Sequence, residues 1–171
     1  MKRRSPTRRA PSTPRATARS EYSFRQRFRV PAEWAFRWCI DYTPNDMATP
    51  PINGSREVRW RSDRTVELHD TFPAPRGARV RKVKLVQVYP DERHWVSTHI
   101  EGPNLHSQFR YTILPTGPNA SVLQYRGRDL GWSGRPLSPK ENVRRTKRLR
   151  NEDAAEWRRL AAAMENDYRA R

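Results

Sequence analysis

The chain of 171 residues has a single cysteine, Cys39. No disulfide framework can form, and no Cys/His zinc spacing exists. Cys39 stands inside an apolar helical pattern, so it reads as a buried, unreactive thiol. Glycine is scarce, at seven residues. No glycine-rich phosphate loop, Walker pattern or metal-ligand cluster occurs, nor a Ser/His/Asp order that would identify a hydrolase. No apolar run approaches the length of a membrane span, and no apolar segment of a secretory leader follows Met1. A disulfide-stapled scaffold and a spanning helix are thereby excluded. The expectation is a soluble, cytoplasmic protein with no metal and no cofactor.

Acids are absent from the first twenty residues, which hold Lys2, Arg3, Arg4, Arg8, Arg9, Arg15 and Arg19. The net charge is +17, so +10 remains for residues 21–171. Residues 1–20 also lack any aromatic or large aliphatic residue after Met1, and are expected to be a disordered basic tail. Residues 21–171 form one domain. A surface this basic favours polyanions, although charge alone sets solubility and non-specific binding more than function.

What is present is a run of strands closed by one long helix. Residues 140–171 contain neither proline nor glycine. Ser138-Pro139-Lys140-Glu141 opens this segment with a cap, a first-turn proline and a glutamate that can reach back. Leu149, Trp157, Leu160, Ala161, Met164 and Tyr168 fit one helical face. Earlier, Glu21 to Val30 alternates, with Tyr22, Phe24, Phe28 and Val30 on one side and Arg25, Arg27 and Arg29 on the other. Pro31 starts a helix in which Trp34, Trp38 and Cys39 share a face. Thr43-Pro44-Asn45-Asp46 can cap a second short helix, which Pro50-Pro51 stops. Six further strands follow: Arg56–Arg61, Thr65–Phe72, Arg79–Tyr89, Arg93–Glu101, His106–Leu114 and Ala120–Asp129. Hairpin-length turns separate most of them and predict an antiparallel meander. The fold class is α+β: a seven-stranded curved antiparallel sheet wrapped around a long C-terminal helix, with two short helices between strands 1 and 2. There is no internal repeat.

This order resembles the START/SRPBCC superfamily of polyketide cyclase-like and lipid-transfer-like proteins. The stretch Phe28-Arg29-Val30-Pro31-Ala32-Glu33-Trp34-Ala35-Phe36, followed by Asp41-Tyr42, carries the resemblance. Gly102 to Leu123 looks like the middle of that family's sheet. The resemblance covers about residues 21–170 and implies a helix-grip fold. It implies no universal catalytic motif, since the family includes cyclases, hydrolases, ligand and lipid carriers and ribosome-associated factors.

Candidate site residues are weighed against structural roles. His99 shares a strand face with Trp95 and Ser97, and Tyr111 comes from the next strand. If that face is concave, Trp95, His99 and Tyr111 line a cavity, while a register slip of one residue would turn them to solvent. Asp70 follows Val66 and Leu68 on an apolar face, so it is either functional or bridged to an arginine. Asp70 and His99 are the candidate acid/base pair. Trp34 is a candidate frame for an aromatic ligand, against ordinary core packing. Arg144, Lys147 and Arg148 form a helical stripe that could meet phosphates, or be a solvated helix end. The leading expectation is a small hydrophobic ligand, lipid-like or polyketide-like, held between sheet and helix, with cyclase-like chemistry as its extension. The alternative is a non-enzymatic interaction protein that uses its basic surface on ribosome, RNA or anionic membrane. A filled core with no ligand is a third reading.

Overall fold

A computed structural model describes residues 16–47, 53–132 and 134–171. The period-two alternation becomes seven strands: β1 (Ala18–Phe28), β2 (Ser55–Ser62), β3 (Thr65–Pro73), β4 (Arg79–Tyr89), β5 (His94–Glu101), β6 (Gln108–Gly117) and β7 (Ala120–Gly131). All pairs are antiparallel, in the order β1-β7-β6-β5-β4-β3-β2. Between β1 and β2 lie helix α1 (Ala32–Ile40) and a short 3-10 helix at Pro44–Met47. The chain ends in α2 (Pro139–Arg169). This is the α+β helix-grip arrangement that the element order predicts.

The inner face of the sheet carries the core, because alternate residues point one way along each strand. Phe28, Val66, Leu68, Val86, Val88, Trp95, Ile113, Leu123 and Tyr125 are all buried there. α2 lies along β1 and closes over this face with Trp157, Ala161 and Met164. Ser138 caps α2: its Oγ accepts from the Glu141 N–H at 3.4 Å, and Glu141 Oε2 accepts from the Ser138 N–H at 2.8 Å. α1 covers the inner side of β6 and β7, burying Ala32, Ala35 and Phe36.

Several details differ from the sequence reading. β1 begins at Ala18, not Glu21, and Ser20 is fully buried. The reason is Arg145, the chain neighbour of the Arg144, Lys147 and Arg148 stripe. It turns inward, donates to Ser20 Oγ at 2.7 Å and pairs with buried Asp129. Residues 18–20 are therefore strand and not tail; the rest of the expected tail up to residue 15 lies outside the described residues, as does Pro50-Pro51. His106 is not on a strand. The turn after β5 runs on to Ser107, with His106 at φ 63°. Ser107 is held there because its Oγ accepts from the Leu130 N–H at 2.8 Å.

Candidate functional site

Inner-face residues change from apolar to polar along the strands. Beyond Val66 and Leu68 on β3 comes Asp70, fully shielded from solvent. Its cross-strand neighbours are Arg56 on β2 and Lys82 on β4. Arg56 donates to Asp70 through Nε at 2.6 Å and Nη2 at 3.0 Å, and Lys84 Nζ lies 2.6 Å away. Arg56 also binds Asp46 at 2.8 Å, which ties the 3-10 helix to the sheet. Burial alone would raise the Asp70 carboxyl; the guanidinium and ammonium outweigh it and hold it below its usual value. Burial pulls the Lys84 ammonium down. Asp70 is thus an anion neutralised twice over, the bridged arrangement rather than a free acid.

His99 lies opposite Lys84 across β4 and β5 and is buried on the inner face, with Trp95 and Ser97. Its Nδ1 is sealed from solvent and has no hydrogen-bond partner. Burial first, then Lys84 and Lys82, depress its pKa to about 3. At neutral pH it is an uncharged imidazole whose ring meets Phe109 at 5.4 Å.

The middle of the inner face is aromatic. Trp95 and Tyr111 are a cross-strand pair stacked at 4.8 Å and 5°. Tyr125 meets Tyr111 edge-on at 5.2 Å, and Trp157 of α2 lies 5.7 Å from Tyr111. Trp95 and Tyr125 are buried, whereas Tyr111, Phe109 and Tyr22 are half-buried. Gly127 makes this crowding possible. A Cβ there would sit 3.0 Å from the Tyr22 ring, 3.1 Å from Tyr125 and 3.2 Å from Phe109. Asp153 of α2 hangs over the same place. Its Oδ2 accepts from Tyr22 Oη at 2.7 Å and from Tyr125 Oη. Burial raises the Asp153 carboxyl and both phenols.

So Trp95, His99 and Tyr111 do share one inner surface, with Asp70 at its polar end. Trp34 does not join them. It meets Tyr168 at 5.1 Å and Arg171 at 5.4 Å, at the far end of α2. Arg144, Lys147 and Arg148 are all exposed, and Arg148 pairs with Glu152 at 3.1 Å. Cys39 is half-buried, and burial raises its thiol. Among the described residues no His/Cys/Asp/Glu group could hold a metal, and no helix is long and apolar enough to cross a membrane. Two clefts, of about 340 Å³ at Glu57, His69 and Arg81 and about 480 Å³ at Arg110, Arg126 and Arg128, open on the outer face.

The sequence reading missed Asp153, Tyr22, Tyr125, Arg56 and Lys84 as members of this surface. One signal was available. Arg145, Leu149, Asp153 and Trp157 recur every four residues, which puts Asp153 on the apolar face of α2.

No protein-family model matches the chain, and no curated protein matches it. Solved structures do. The ZhuI aromatase/cyclase from Streptomyces sp. R1128 aligns with TM-score 0.70 at 12% identity, over 90% of this chain and 96% of that one. TTHA0849 from Thermus thermophilus aligns at 0.66 and 15%, over 86% and 98%. A START superfamily protein from Mycobacterium smegmatis aligns at 0.62 and 19%, over 86% and 95%. The fold is therefore a START/SRPBCC-like helix-grip fold.

Proposed function

We propose that the chain binds a small hydrophobic or aromatic ligand, lipid-like or polyketide-like, between the sheet and α2. The observation that carries this reading is His99. It is a buried, neutral imidazole whose Nδ1 has no partner, at the end of an aromatic surface that is not sealed. A buried polar atom without a partner is costly, and a ligand group or a water beside it would relieve that cost. The Phe109 and Tyr111 rings would take the apolar body of the ligand, and His99 its polar end. The likeness to an aromatase/cyclase supports the same reading. Cyclase-like chemistry is its extension: neutral His99, and the Tyr22 and Tyr125 phenols on Asp153, are groups able to carry protons beside such a ligand.

The test is a fluorescent hydrophobic probe, anilinonaphthalene sulfonate, titrated into wild type and His99→Ala. Saturable binding to wild type, weakened in the variant, is expected. The variant breaks no hydrogen bond at Nδ1 and should stay folded. Equal affinities would place His99 outside the pocket. No saturable binding to wild type would point to a filled core.

A further inference from the structure

The outer face of β1, β7 and β6 carries a cluster of five exposed arginines. Arg25 and Arg27 of β1, Arg126 and Arg128 of β7, and Arg110 of β6 all point outward and are exposed. Arg126 stands directly opposite Arg110 in the register. Like charges in that position repel and destabilise a sheet. On β2 and β4, Arg59 pairs with Glu57, Arg61 with Glu67 and Arg81 with Glu101, while Arg79, alone at the start of β4, has no acid among the described residues. Among the described residues, none of these five outward arginines on β1, β7 and β6 has a side-chain hydrogen bond or ion pair. The one nearby carboxylate, Glu21, is held by Arg19. Arg110, Arg126 and Arg128 border the outer cleft of about 480 Å³, with Ser23 and Gln108 as neutral hydrogen-bonding neighbours; Glu21, opposite Arg128 in the register, lines it too.

We propose that this face binds the phosphodiester backbone of a nucleic acid. An unpaired arginine cluster around a cleft is complementary to anionic oxygens in a row, which arginine grips in bidentate fashion. Arginines two apart on one strand, Arg25 and Arg27 or Arg126 and Arg128, repeat at about 6.6–6.8 Å, so the face offers a track rather than a point. Nucleic acid fits better than a lipid surface. Surface binding to a bilayer draws on apolar anchors beside the charges. The exposed large apolar residues, Trp60, Tyr89, Ile100 and Val143, all lie off these three strands. The same lack of exposed aromatics on the face removes base stacking, so binding reads backbone and not sequence. The inner aromatic surface plays no part, so this role is independent of the ligand reading.

The experiment uses the full chain and a fluorescein-labelled oligouridine, read by anisotropy across a salt series. The variant is Arg110→Gln/Arg126→Gln/Arg128→Gln; the control is Arg144→Gln/Lys147→Gln/Arg148→Gln on α2. Wild type should bind with strong salt dependence. The outer-face variant should lose at least tenfold in affinity, and its salt slope should shrink by about two, at roughly 0.7 for each phosphate no longer neutralised. Its unfolding midpoint should hold or rise, since it removes an opposed like-charge pair. The α2 control should stay near wild type, and an unrelated sequence of equal length should bind alike. Four results would overturn the proposal: no binding by wild type, equal affinity in the outer-face variant, loss confined to the α2 control, or a variant that loses binding only to phosphatidylserine vesicles.

Discussion

Arg56 holds Asp70 with two nitrogens, Nε at 2.6 Å and Nη2 at 3.0 Å, where the carboxylate has no access to solvent. Lys84 completes the neutralisation from the other side. The arrangement works only as a set, because removing one member leaves the others buried and unmatched.

Asp70→Ala should therefore cost about 3–5 kcal/mol, the usual cost of breaking a buried pair from one side. The pH dependence has a definite sign. The folded carboxyl titrates below its unfolded value of about 4, so its stabilisation is complete above that value and is lost as pH falls through the folded one. Denaturant unfolding at pH 7 and pH 3 should show a smaller difference in Asp70→Asn than in wild type. An equal difference in both would contradict the set.

His99 acts in the same direction by another route. Its folded pKa, about 3, lies below the unfolded value near 6.5. Above pH 6.5 both states are neutral and the group adds nothing. As pH falls from there toward 3 the unfolded chain takes the proton first, and stability drops by up to about 1.4 kcal/mol per unit. His99→Ala should flatten this limb between pH 6.5 and 4, as measured by urea midpoints.

Asp153 has the opposite sign. Its folded carboxyl is raised by burial. Its contribution is present below the unfolded value near 4 and is lost as pH rises through the folded one. Asp153→Asn keeps an oxygen acceptor for Tyr22 and Tyr125 and removes the buried charge. At pH 7 it should be at least as stable as wild type. A thermal midpoint several degrees lower would show that the ionised carboxylate is needed.

Gly127→Ala tests how tightly the aromatic surface is packed. The new methyl would sit within 3.0–3.2 Å of three rings. Rings anchored by α2 and by each other cannot all yield, so the expected loss is about 1–3 kcal/mol, the range for overpacking. A loss below about 0.5 kcal/mol would mean that unfilled space beside the rings accepts the displacement.

Much of the fold is legible in the sequence because alternation and turns are local. Val66, Leu68 and Asp70 fall in one period-two set, so Asp70 stands out as a carboxylate among inward residues. Its partner does not stand out, because Arg56 is fourteen residues away and meets it only through the β2–β3 register. Trp95, His99 and Tyr111 are readable for the same reason that Asp70 is. Trp34 is not, because its environment depends on where α1 meets the end of α2, a contact between distant segments. Arg145 reads as one more surface charge in a basic run. Only its place four residues before Leu149 and eight before Asp153 separates it from Arg144 and Lys147.

The sheet order has a further consequence, for how the chain assembles. Strands β2 to β7 pair with sequence neighbours, but β1 pairs only with β7, matching Ala18 to Gly131. Closing that contact means joining distant ends, and such topologies fold on the slow side, in milliseconds to seconds. β1 has no edge to join until β7 exists. Pulsed hydrogen exchange should therefore find its amides protected after those of the β3–β4 hairpin. During synthesis from the N-terminus β1 is made first and waits longest for its partner. Its outward arginines then serve as gatekeepers, keeping a strand with Tyr22, Phe24 and Phe28 on its other side from pairing with the wrong edge.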